Sequence, residues 1–460
     1  MKEGDHQDGS SRQMEEARPV RDKQKAEGPS FSESLEALAK YGGFDVLGTS
    51  VEGAENMDPA KKARKKIFLT ESIHEQDRKL LKKRLELWLD LLSGTGEIPE
   101  MISRSEANSI AASALLAKNL KTAVESTEGL ERSYRSVDLF FKNTEQDKLK
   151  NLSILNASRE HLTDLDNPLF LEAVAEEFRH NYDRLDLRRN YSLLVMPGYL
   201  GSNSVLDAWS KVAHQNKVML VTDFRHLDAP EDVIDLFEAA DHAGGDEYKA
   251  NVIMTCNWLV GRGANPGLGL EDNLYVPPSA ALAGQIYRGL MSQVTAGRKY
   301  GTLNGVDGVA FELKKGEIAQ MDKLGVVPIV HEYGKVMAFS AKTLFNGDNL
   351  GLQTYSVVRV FDWVAKVLMD FLNRRAFENF THDSKKELRR QITTFLDSIQ
   401  GHNKLIEKFK IIRFEQDPKQ KDRIYLDIHI TPFFPARNFL IKLDGTRGDD
   451  PDSAEWQSEY

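Results

Sequence analysis

The chain has 460 residues, of which 41% are hydrophobic and 28% are charged, and its formal net charge is −9. This composition predicts a globular protein of two or three domains and excludes a chain that is disordered throughout. The acidic excess, 70 residues against 61 basic ones, disfavours a nucleic-acid binder, and no apolar run is long enough for a membrane helix. The single cysteine, Cys256, cannot form an internal disulfide, and the first residues lack an apolar signal segment, so we expect a cytoplasmic protein.

Residues 1–60 are predicted to be flexible because they contain few apolar residues and no sustained periodicity. One short amphipathic helix is expected within them, at residues 31–41. Leu35, Leu38 and Tyr41 recur there at a spacing of three and share one face. Gly42 and Gly43 then end the helix.

A helical region that ends with a first strand is expected at residues 61–165. The helices are expected at Ile73–Leu92, Glu106–Val124 and Leu130–Phe141, and the strand at 150–156. Residues 166–305 predict a central α/β domain that opens with a helix at Asn167–Phe178. It then alternates strands at Ser192–Met196, Lys217–Thr222 and Ala250–Thr255 with helices at Val205–His214, Pro230–Asp241 and Pro277–Leu290. This alternation favours a buried, mostly parallel sheet.

Residues 306–444 form a third predicted region, and the acidic tail 445–460 is expected to be disordered. The region contains a strand at Gly308–Leu313, a hairpin that turns at Tyr333 and Gly334, and helices at Tyr355–Leu372 and Ser384–Leu396. Three strands follow at Phe409–Phe414, Ile424–Ile430 and Asn438–Leu443. Apolar and polar residues alternate in the second of these, which predicts a sheet with one wet face. The expected fold class is α/β, with an N-terminal helical layer, a central mixed core and C-terminal antiparallel strands.

Two glycine-rich loops are candidate ligand sites. Residues 198–204 join a strand to a helix, where backbone N–H groups bind phosphate in other proteins. The spacing matches no nucleotide-binding fingerprint, so a turn with Ser202 or Ser204 capping the helix is the competing interpretation. Residues 261–269 are interrupted by Pro266 and are better explained as a surface loop.

No other pattern indicates catalysis or a cofactor. The pair His331-Glu332 lacks the second histidine of a zinc motif, and the remaining histidines are scattered. Cys256 ends an apolar strand and is expected to be a buried, inert thiol. The basic run at 61–66 is interpreted as a solvated lead-in to the first long helix, with nucleic-acid contact as the alternative. We therefore expect neither a metal nor a cofactor.

Two stretches resemble the large subunit of the type VI secretion contractile sheath, the TssC/VipB family. The first comprises the helix from Leu130 to Phe141 and the segment 149–162, although Ser136 stands where the family has glycine. The second is 307–445, which keeps the family's order of elements; its strand from Tyr425 leads to Pro432-Phe433, and Asn438–Leu443 is similar to the family's last strand. The segments at 258–262 and 275–284 are similar to those of the Bacteroidetes-type branch.

The resemblance implies a tail-sheath-like fold and a structural function without enzymatic activity. In this family the large subunit pairs with a small sheath subunit (TssB/VipA-like), and the pairs stack with other copies around an inner tube protein (Hcp-like) on a baseplate. Contraction propels the tube, and an AAA+ recycling ATPase (ClpV-like) recovers the sheath through an N-terminal helix. The resemblance implies no nucleic acid and no direct membrane insertion.

The same resemblance implies two groups of functional residues here. Strand pairing with neighbouring subunits is expected to involve Phe409, Ile411, Ile412, Phe414, Leu426, Ile428, Ile430, Phe439, Ile441 and Leu443. The unfoldase-recognition helix is expected at Leu35, Leu38 and Tyr41. Two alternatives stay open, a one-component phage-like tail sheath protein and an α/β enzyme that binds a phosphorylated ligand at 198–204.

Overall fold

The computed structural model describes residues 66–93, 97–145, 149, 151–182, 190–436, 442–445 and 456–459. The chain divides into two compact units, Met1–Lys118 and Asn119–Tyr460. The amphipathic segment predicted at 31–41 lies outside the described residues. In the described part of the chain, no helix combines the length and the apolar character that crossing a bilayer requires.

The first described elements are long helices. A single turn of 3₁₀ helix, Ser72–His74, leads into α1, Glu75–Leu92, as predicted. The next helix, α2, is continuous from Ile98 to Asn143, so the prediction of two separate helices is wrong. Between the two predicted helices, the Ser126 and Thr127 hydroxyls donate to the Ala123 carbonyl at 3.0 and 2.8 Å, so their polar groups are satisfied within the continuous helix. Gly129 alone costs only about 1 kcal/mol in a helix.

The strand predicted at 150–156 is not observed: residues 151–157 have no regular secondary structure. Leu152, Ile154 and Leu155 are largely exposed, and no neighbouring strand pairs with them in the described part of the chain. Alternation alone does not make a strand, since a strand needs a partner for its backbone groups. Two helices follow, α3 at Arg159–Thr163 and α4 at Leu169–Tyr182.

A five-stranded sheet with the order β1-β2-β3-β6-β7 forms the centre of the second unit. The strands of the central region are β1 Leu193–Met196, β2 Met219–Asp223, β3 Val252–Cys256, β4 Leu259–Arg262, β5 Leu274–Val276, β6 Val326–Glu332 and β7 Lys335–Ala338. Strands β1, β2, β3 and β6 are parallel, which confirms the predicted parallel sheet, and β7 adds antiparallel to β6. The turn of this hairpin has Tyr333 and Gly334 at positive φ, as predicted from the Tyr-Gly pair.

Helices cover both faces of this sheet. They are α5 Asn203–Gln215, α6 Pro230–Ala240, α7 Ser279–Arg288, α8 Gly297–Tyr300 and α9 Lys315–Leu324. On one face, α5, α6 and α9 pack around Trp209, Phe237 and Met321. On the other face, α7 and the end of α2 pack around Leu282 and Leu139. The result is a three-layer arrangement in which alternate residues of each strand point to opposite cores.

The strand predicted at Gly308–Leu313 is absent and is replaced by a single bridge between Leu259 and Val309. The Asn257 side chain donates to the Phe311 carbonyl at 2.8 Å and accepts from the Phe311 N–H at 3.2 Å. The Asn257 side chain thus bonds to both backbone groups of Phe311, which a strand would use to pair with its neighbour. Strands β4 and β5 pair with each other in a separate hairpin.

The C-terminal region begins with α10 Tyr355–Asn373 and α11 His382–Ile399. Strands β8 Ile406–Gln416 and β9 Ile424–Pro432 form one hairpin, and β10 Lys442–Gly445 pairs with β11 Trp456–Glu459. A third core joins α10, α11 and the first hairpin around Val364, Leu396 and Phe414. Strand β11 lies in the tail for which disorder was predicted, so that prediction is wrong for 456–459.

Buried polar contacts join α10 to the central sheet. Asn251 donates to Asp362 at 2.8 Å, and the Lys366 ammonium donates to the Tyr191 carbonyl at 3.0 Å. Burial lowers the pKa of Lys366 to about 8 and raises the pKa of Asp362. These contacts attach the helix that supports the C-terminal hairpin to the central layers.

The contact between α7 and α2 requires a glycine at position 284. A Cβ at this position would lie 2.4 Å from the Phe140 carbonyl oxygen. We expect Gly284→Ala to destabilise the protein by about 1–3 kcal/mol in chemical denaturation, because the two helices must separate. The matched control is Gly316→Ala in α9, where nothing lies within 4 Å, and it should stabilise by about 0.4–1 kcal/mol. Equal effects of the two substitutions would contradict the close approach.

Candidate assembly surface

The β8–β9 hairpin is the element in which most of the predicted strand-pairing residues meet. Phe409 lies opposite Ile430, Ile411 opposite Ile428, and Phe414 opposite Leu426. All six side chains point toward α10 and α11 and belong to the core of this region. They therefore fix the register of the hairpin within the subunit, and the backbone edges and the outer face of its strands remain for contacts with another chain.

Ile412 does not follow this pattern. The register shifts between Ile411 and Arg413, and Ile412 is the extra residue of a β-bulge, with 60% of its surface exposed. Without the bulge, Arg413 rather than Phe414 would point into the core. Ile412, one of the predicted strand-pairing residues, therefore does not face the core with Ile411 and Phe414, because one additional residue at this point of β8 inverts the alternation.

Deletion of Ile412 should leave the stability within about 1 kcal/mol of the parent, because it restores one-to-one pairing and removes only an exposed side chain. Deletion of Asp427, an exposed residue in β9, is the control. It should cost about 2 kcal/mol or more, since Leu426 and Ile428 can no longer both face the core. Chemical denaturation of the two variants measures the difference, and equal losses would contradict the bulge.

The other predicted strand-pairing residues lie further along the chain. Phe439 and Ile441 are outside the described residues, and Leu443 lies in β10 opposite Ser458. The strand predicted at 438–443 is therefore described only from Lys442 onward. Leu35, Leu38 and Tyr41 of the predicted recognition helix also lie outside the described residues.

The glycine loop at 198–204 is engaged by the protein itself. The Gly198 N–H donates to the Asp223 carboxylate at 2.7 Å, and the Ser202 hydroxyl caps α5 by accepting from the Val205 N–H at 3.3 Å. The Gly198 and Val205 N–H groups are thus bonded within the protein itself and are not available to a phosphate. The structure thus supports the interpretation of this loop as a turn with a helix cap.

Asp223 is the centre of a buried cluster that the sequence analysis missed. Besides Gly198, its carboxylate accepts from the Ser279 N–H at 2.8 Å and from the Ser279 and Thr255 hydroxyls, both at 2.5 Å. Burial raises the pKa of Asp223 from 3.8 to about 6, against the lowering effect of these donors. The side chain joins β1, β2, β3 and α7. Its position at the end of an apolar strand is the one signal that could have identified it.

The second glycine loop, 261–269, follows β4 and also has a structural explanation. A Cβ at Gly261 would lie 2.3 Å from the Val276 side chain of β5, so the hairpin requires a glycine. The neighbouring Arg262 contacts Glu131 of α2 at 3.1 Å, and Arg135 contacts the same carboxylate at 2.8 Å. The loop is therefore anchored to α2.

The remaining candidate residues form no reactive site. Cys256 is fully buried, and burial raises the pKa of its thiol. His331 and Glu332 are exposed on the β6–β7 hairpin. Within the described ranges, no three His, Cys, Asp or Glu side chains are grouped closely enough to bind a metal ion. Of the basic run at 61–66, only Lys66 is described.

The helices α1 and α2 expose large apolar side chains. In α1 these are Leu80, Leu81, Leu85, Leu87 and Trp88, each at least 45% exposed. In the first part of α2 they are Ile98, Ile102, Ile110, Leu115, Leu116 and Leu120. Apolar surface of this extent is characteristic of an interface with another chain.

Three sequence profiles match nearly the whole chain. The profile described as "TssC/VipB-like, N-terminal region" matches residues 31–120. "Type VI secretion system TssC/VipB, central domain" matches residues 122–346, and "TssC/VipB-like, C-terminal domain" matches residues 354–460. The chain belongs to the TssC/VipB family.

Solved structures similar to this TssC/VipB chain include two sheaths and a sheath tail protein. The helical sheath of the anti-feeding prophage in the contracted state is 19% identical, with a TM-score of 0.46 over 68% of this chain and 81% of that chain. The contracted sheath complex of an extracellular contractile injection system, PVC, is 15% identical, with a TM-score of 0.45 over 68% and 80%. The sheath tail protein of Desulfitobacterium hafniense is 13% identical, with a TM-score of 0.39 over 57% and 56%. No curated protein matches the sequence.

Membership of the TssC/VipB family confirms the predicted function as a structural subunit of a contractile sheath. The chain is accordingly a component of a polymer, and its exposed edges and apolar helices are features of a subunit. The sequence analysis did not identify three features of the structure: the Asp223 cluster, the bulge at Ile412 and the exposure of the apolar side chains of α1. The first two depend on contacts between distant segments.

Proposed function

We propose that this chain is the large subunit of a two-component sheath, in which it binds a small sheath subunit and contracts around an inner tube. The observation that carries the proposal is the β8–β9 sheet, which contains only two strands in the described part of the chain. Half of the backbone N–H and C=O groups of each strand point away from the other strand. A donated strand would satisfy them by β-augmentation.

Packing of the inner face of the hairpin keeps its strands in the conformation that this pairing needs. Because Phe409, Ile428 and Phe414 hold one face against α10 and α11, the strands are kept extended before a partner arrives. The predicted residues Phe439, Ile441 and Leu443 would extend the same surface further along the chain. Strands that link neighbouring subunits would act as the hinges about which rigid bodies rotate during contraction.

The exposed apolar stripe of α1 supports a second contact with the small subunit. Leu81, Leu85 and Trp88 recur at i, i+4 and i+7, the spacing of a helix that packs against another helix. Burying these side chains would stabilise a heterodimer at roughly 25 cal/mol for each Å² removed from water.

The remaining partners follow from family membership as parts of the same proposal. They are an Hcp-like inner tube, a baseplate and a ClpV-like ATPase that recognises the helix of Leu35, Leu38 and Tyr41. The chain would work in the cytoplasm without catalytic activity of its own.

Negative-stain electron microscopy tests the proposal. The chain is expressed alone and together with a candidate small sheath subunit. Tubules that form only on co-expression are the expected result. Tubules from the chain alone would instead establish a one-component sheath. Soluble monomers in both samples would overturn the proposal and favour an α/β enzyme.

A further inference from the structure

Arg359, in the second turn of α10, is a buried cation that the described part of the chain leaves unpaired. Only 8% of its surface is exposed, and burial lowers the pKa of its guanidinium to about 10. Its side chain forms neither an ion pair nor a hydrogen bond with any residue that the structure describes. An unpaired charge that is taken out of water destabilises a protein, so the counter-ion of Arg359 should come from outside these residues.

The acidic residue that follows Arg359 by three positions on α10 is already engaged elsewhere. This residue, Asp362, accepts from the Asn251 amide at 2.8 Å and lies 3.9 Å from the Lys217 ammonium. Among the described residues, Tyr355 is the one group that opposes the lowered pKa of Arg359. Asp362 therefore does not supply the missing carboxylate.

A second polar group without a partner lies one turn before Arg359. Ser356 is 1% exposed, and its hydroxyl oxygen has no hydrogen-bond partner in the part of the chain that the structure describes. Residues three apart in a helix are neighbours on its surface, and a long side chain points back toward the N-terminus. The Arg359 guanidinium therefore lies over the turn that carries Ser356.

Both residues lie at the start of a long helix whose first turn is held firmly. The Tyr355 N–H donates to the Ala341 carbonyl at 3.1 Å, and the Tyr355 hydroxyl accepts from the Thr295 N–H at 2.9 Å. The N-terminal end of a helix carries a partial positive charge, which adds to that of the guanidinium. The guanidinium, the hydroxyl and the helix start thus all favour an anion, and they are fixed in place before one binds.

We propose that Arg359, with Ser356 beside it, forms a site for one carboxylate group from outside the subunit. The carboxylate would accept from the guanidinium, and the Ser356 hydroxyl is able to donate to it because no other acceptor holds it. Charge-assisted hydrogen bonds of this kind are short and strong. The small exposed part of Arg359 admits a single group rather than a larger ligand. The source is either an acidic side chain of an adjoining subunit, in which case the inference rests on assembly into a sheath, or a free carboxylate ion.

Replacement of Arg359 by methionine tests the site in two states of the protein. In the unassembled chain the substitution removes an unpaired buried charge, so the urea midpoint should rise. In assembly with the small subunit it leaves the incoming carboxylate without its partner, so the concentration needed for tubule formation should rise about tenfold or more. A residue with a merely structural role would not increase stability and weaken assembly together.

Three control variants fix the interpretation of these measurements. Arg374→Met removes an exposed guanidinium just after α10, which pairs with Asp370 at 3.0 Å, and should change neither quantity. Lys249→Met removes a buried ammonium that Asp207 pairs at 2.9 Å, so it should lower the urea midpoint. Arg359→Lys keeps the charge but loses the planar fork, and it should assemble at a concentration between those of the parent and Arg359→Met.

Sodium acetate, compared with sodium chloride at equal ionic strength, separates the two sources of the carboxylate. An acetate-dependent rise in the urea midpoint of the parent, absent in Arg359→Met, would assign the site to a free ion. Weakened assembly of Arg359→Met without an acetate effect would assign it to an adjoining subunit. Parental assembly without an acetate effect would overturn the inference, and so would a lower urea midpoint for Arg359→Met, which would show that the chain itself pairs the cation. Failure of the unmodified chain to form tubules would overturn the two-component sheath, and the urea and acetate measurements would still decide on the site.

Discussion

Replacement of Asp223 by alanine should lower the free energy of unfolding by about 3–5 kcal/mol, because it leaves buried donors without acceptors. The Gly198 and Ser279 N–H groups lose their partner, and neither can rotate toward another. The Ser279 and Thr255 hydroxyls can reorient, so the two backbone groups account for most of the loss. Urea denaturation of the full chain measures the effect.

Two further variants separate the loss of the acceptors from the loss of a charge. Asp223→Asn keeps the shape but turns an N–H donor toward one of the two backbone N–H groups, so it should also destabilise strongly. Asp235→Asn in α6 removes an exposed carboxylate and should change stability by less than about 0.5 kcal/mol. Similar values for Asp223→Asn and Asp235→Asn would show that the hydrogen bonds do not stabilise the sheet.

The raised pKa of Asp223 also predicts a pH dependence. Because burial raises this pKa to about 6, the folded state binds the proton more tightly than the unfolded state, whose pKa is near 3.8. The contribution of Asp223 to stability therefore falls as pH rises from about 4 to 6 and is constant above that. The difference in stability between the parent and Asp223→Asn should follow this curve.

The double substitution Leu85→Glu and Trp88→Glu should abolish tubule formation with the small subunit and leave the chain folded. Both side chains are more than half exposed in the subunit, so their replacement costs the fold little. If α1 is covered by the small subunit, two buried carboxylates without partners would cost several kcal/mol at the interface. Co-purification and electron microscopy report the loss of assembly.

The control for this surface lies on the same helix. Glu86→Gln replaces an exposed residue between the two positions and should assemble like the parent. Circular dichroism verifies that both variants keep their helical content. Tubules formed by the double variant at parental concentration would show that the apolar stripe of α1 is not an interface.

Much of the central domain could be predicted from local patterns. The runs at Lys217–Thr222 and Ala250–Thr255 each contain consecutive apolar residues and are too short for helices, and β2 and β3 lie there. The segment 150–156 has similar apolar content but forms no strand, because a ladder needs a neighbour that the pattern of one segment does not reveal. The two predicted helices merged into α2 because neither glycine nor serine is sufficient to end a helix.

The candidate surface was predictable in its location but not in its geometry. Alternation in β9 correctly placed Leu426, Ile428 and Ile430 on one face. It could not show that β8 contains an extra residue at Ile412, because a bulge is a property of two strands together. The exposure of Trp88 could not be predicted either. The sequence pattern of an amphipathic helix is the same whether its apolar face packs against its own chain or against another chain.

The sequence by itself determined the order of elements, the parallel character of the sheet and membership of the TssC/VipB family, because these depend on periodicity and motifs along the chain. Only the tertiary structure decided which polar groups satisfy one another and which apolar faces remain uncovered. Asp223 and Gly198 are 25 residues apart, and only the fold brings them within hydrogen-bonding distance. Such facts belong to contacts in space, which local physical chemistry does not specify.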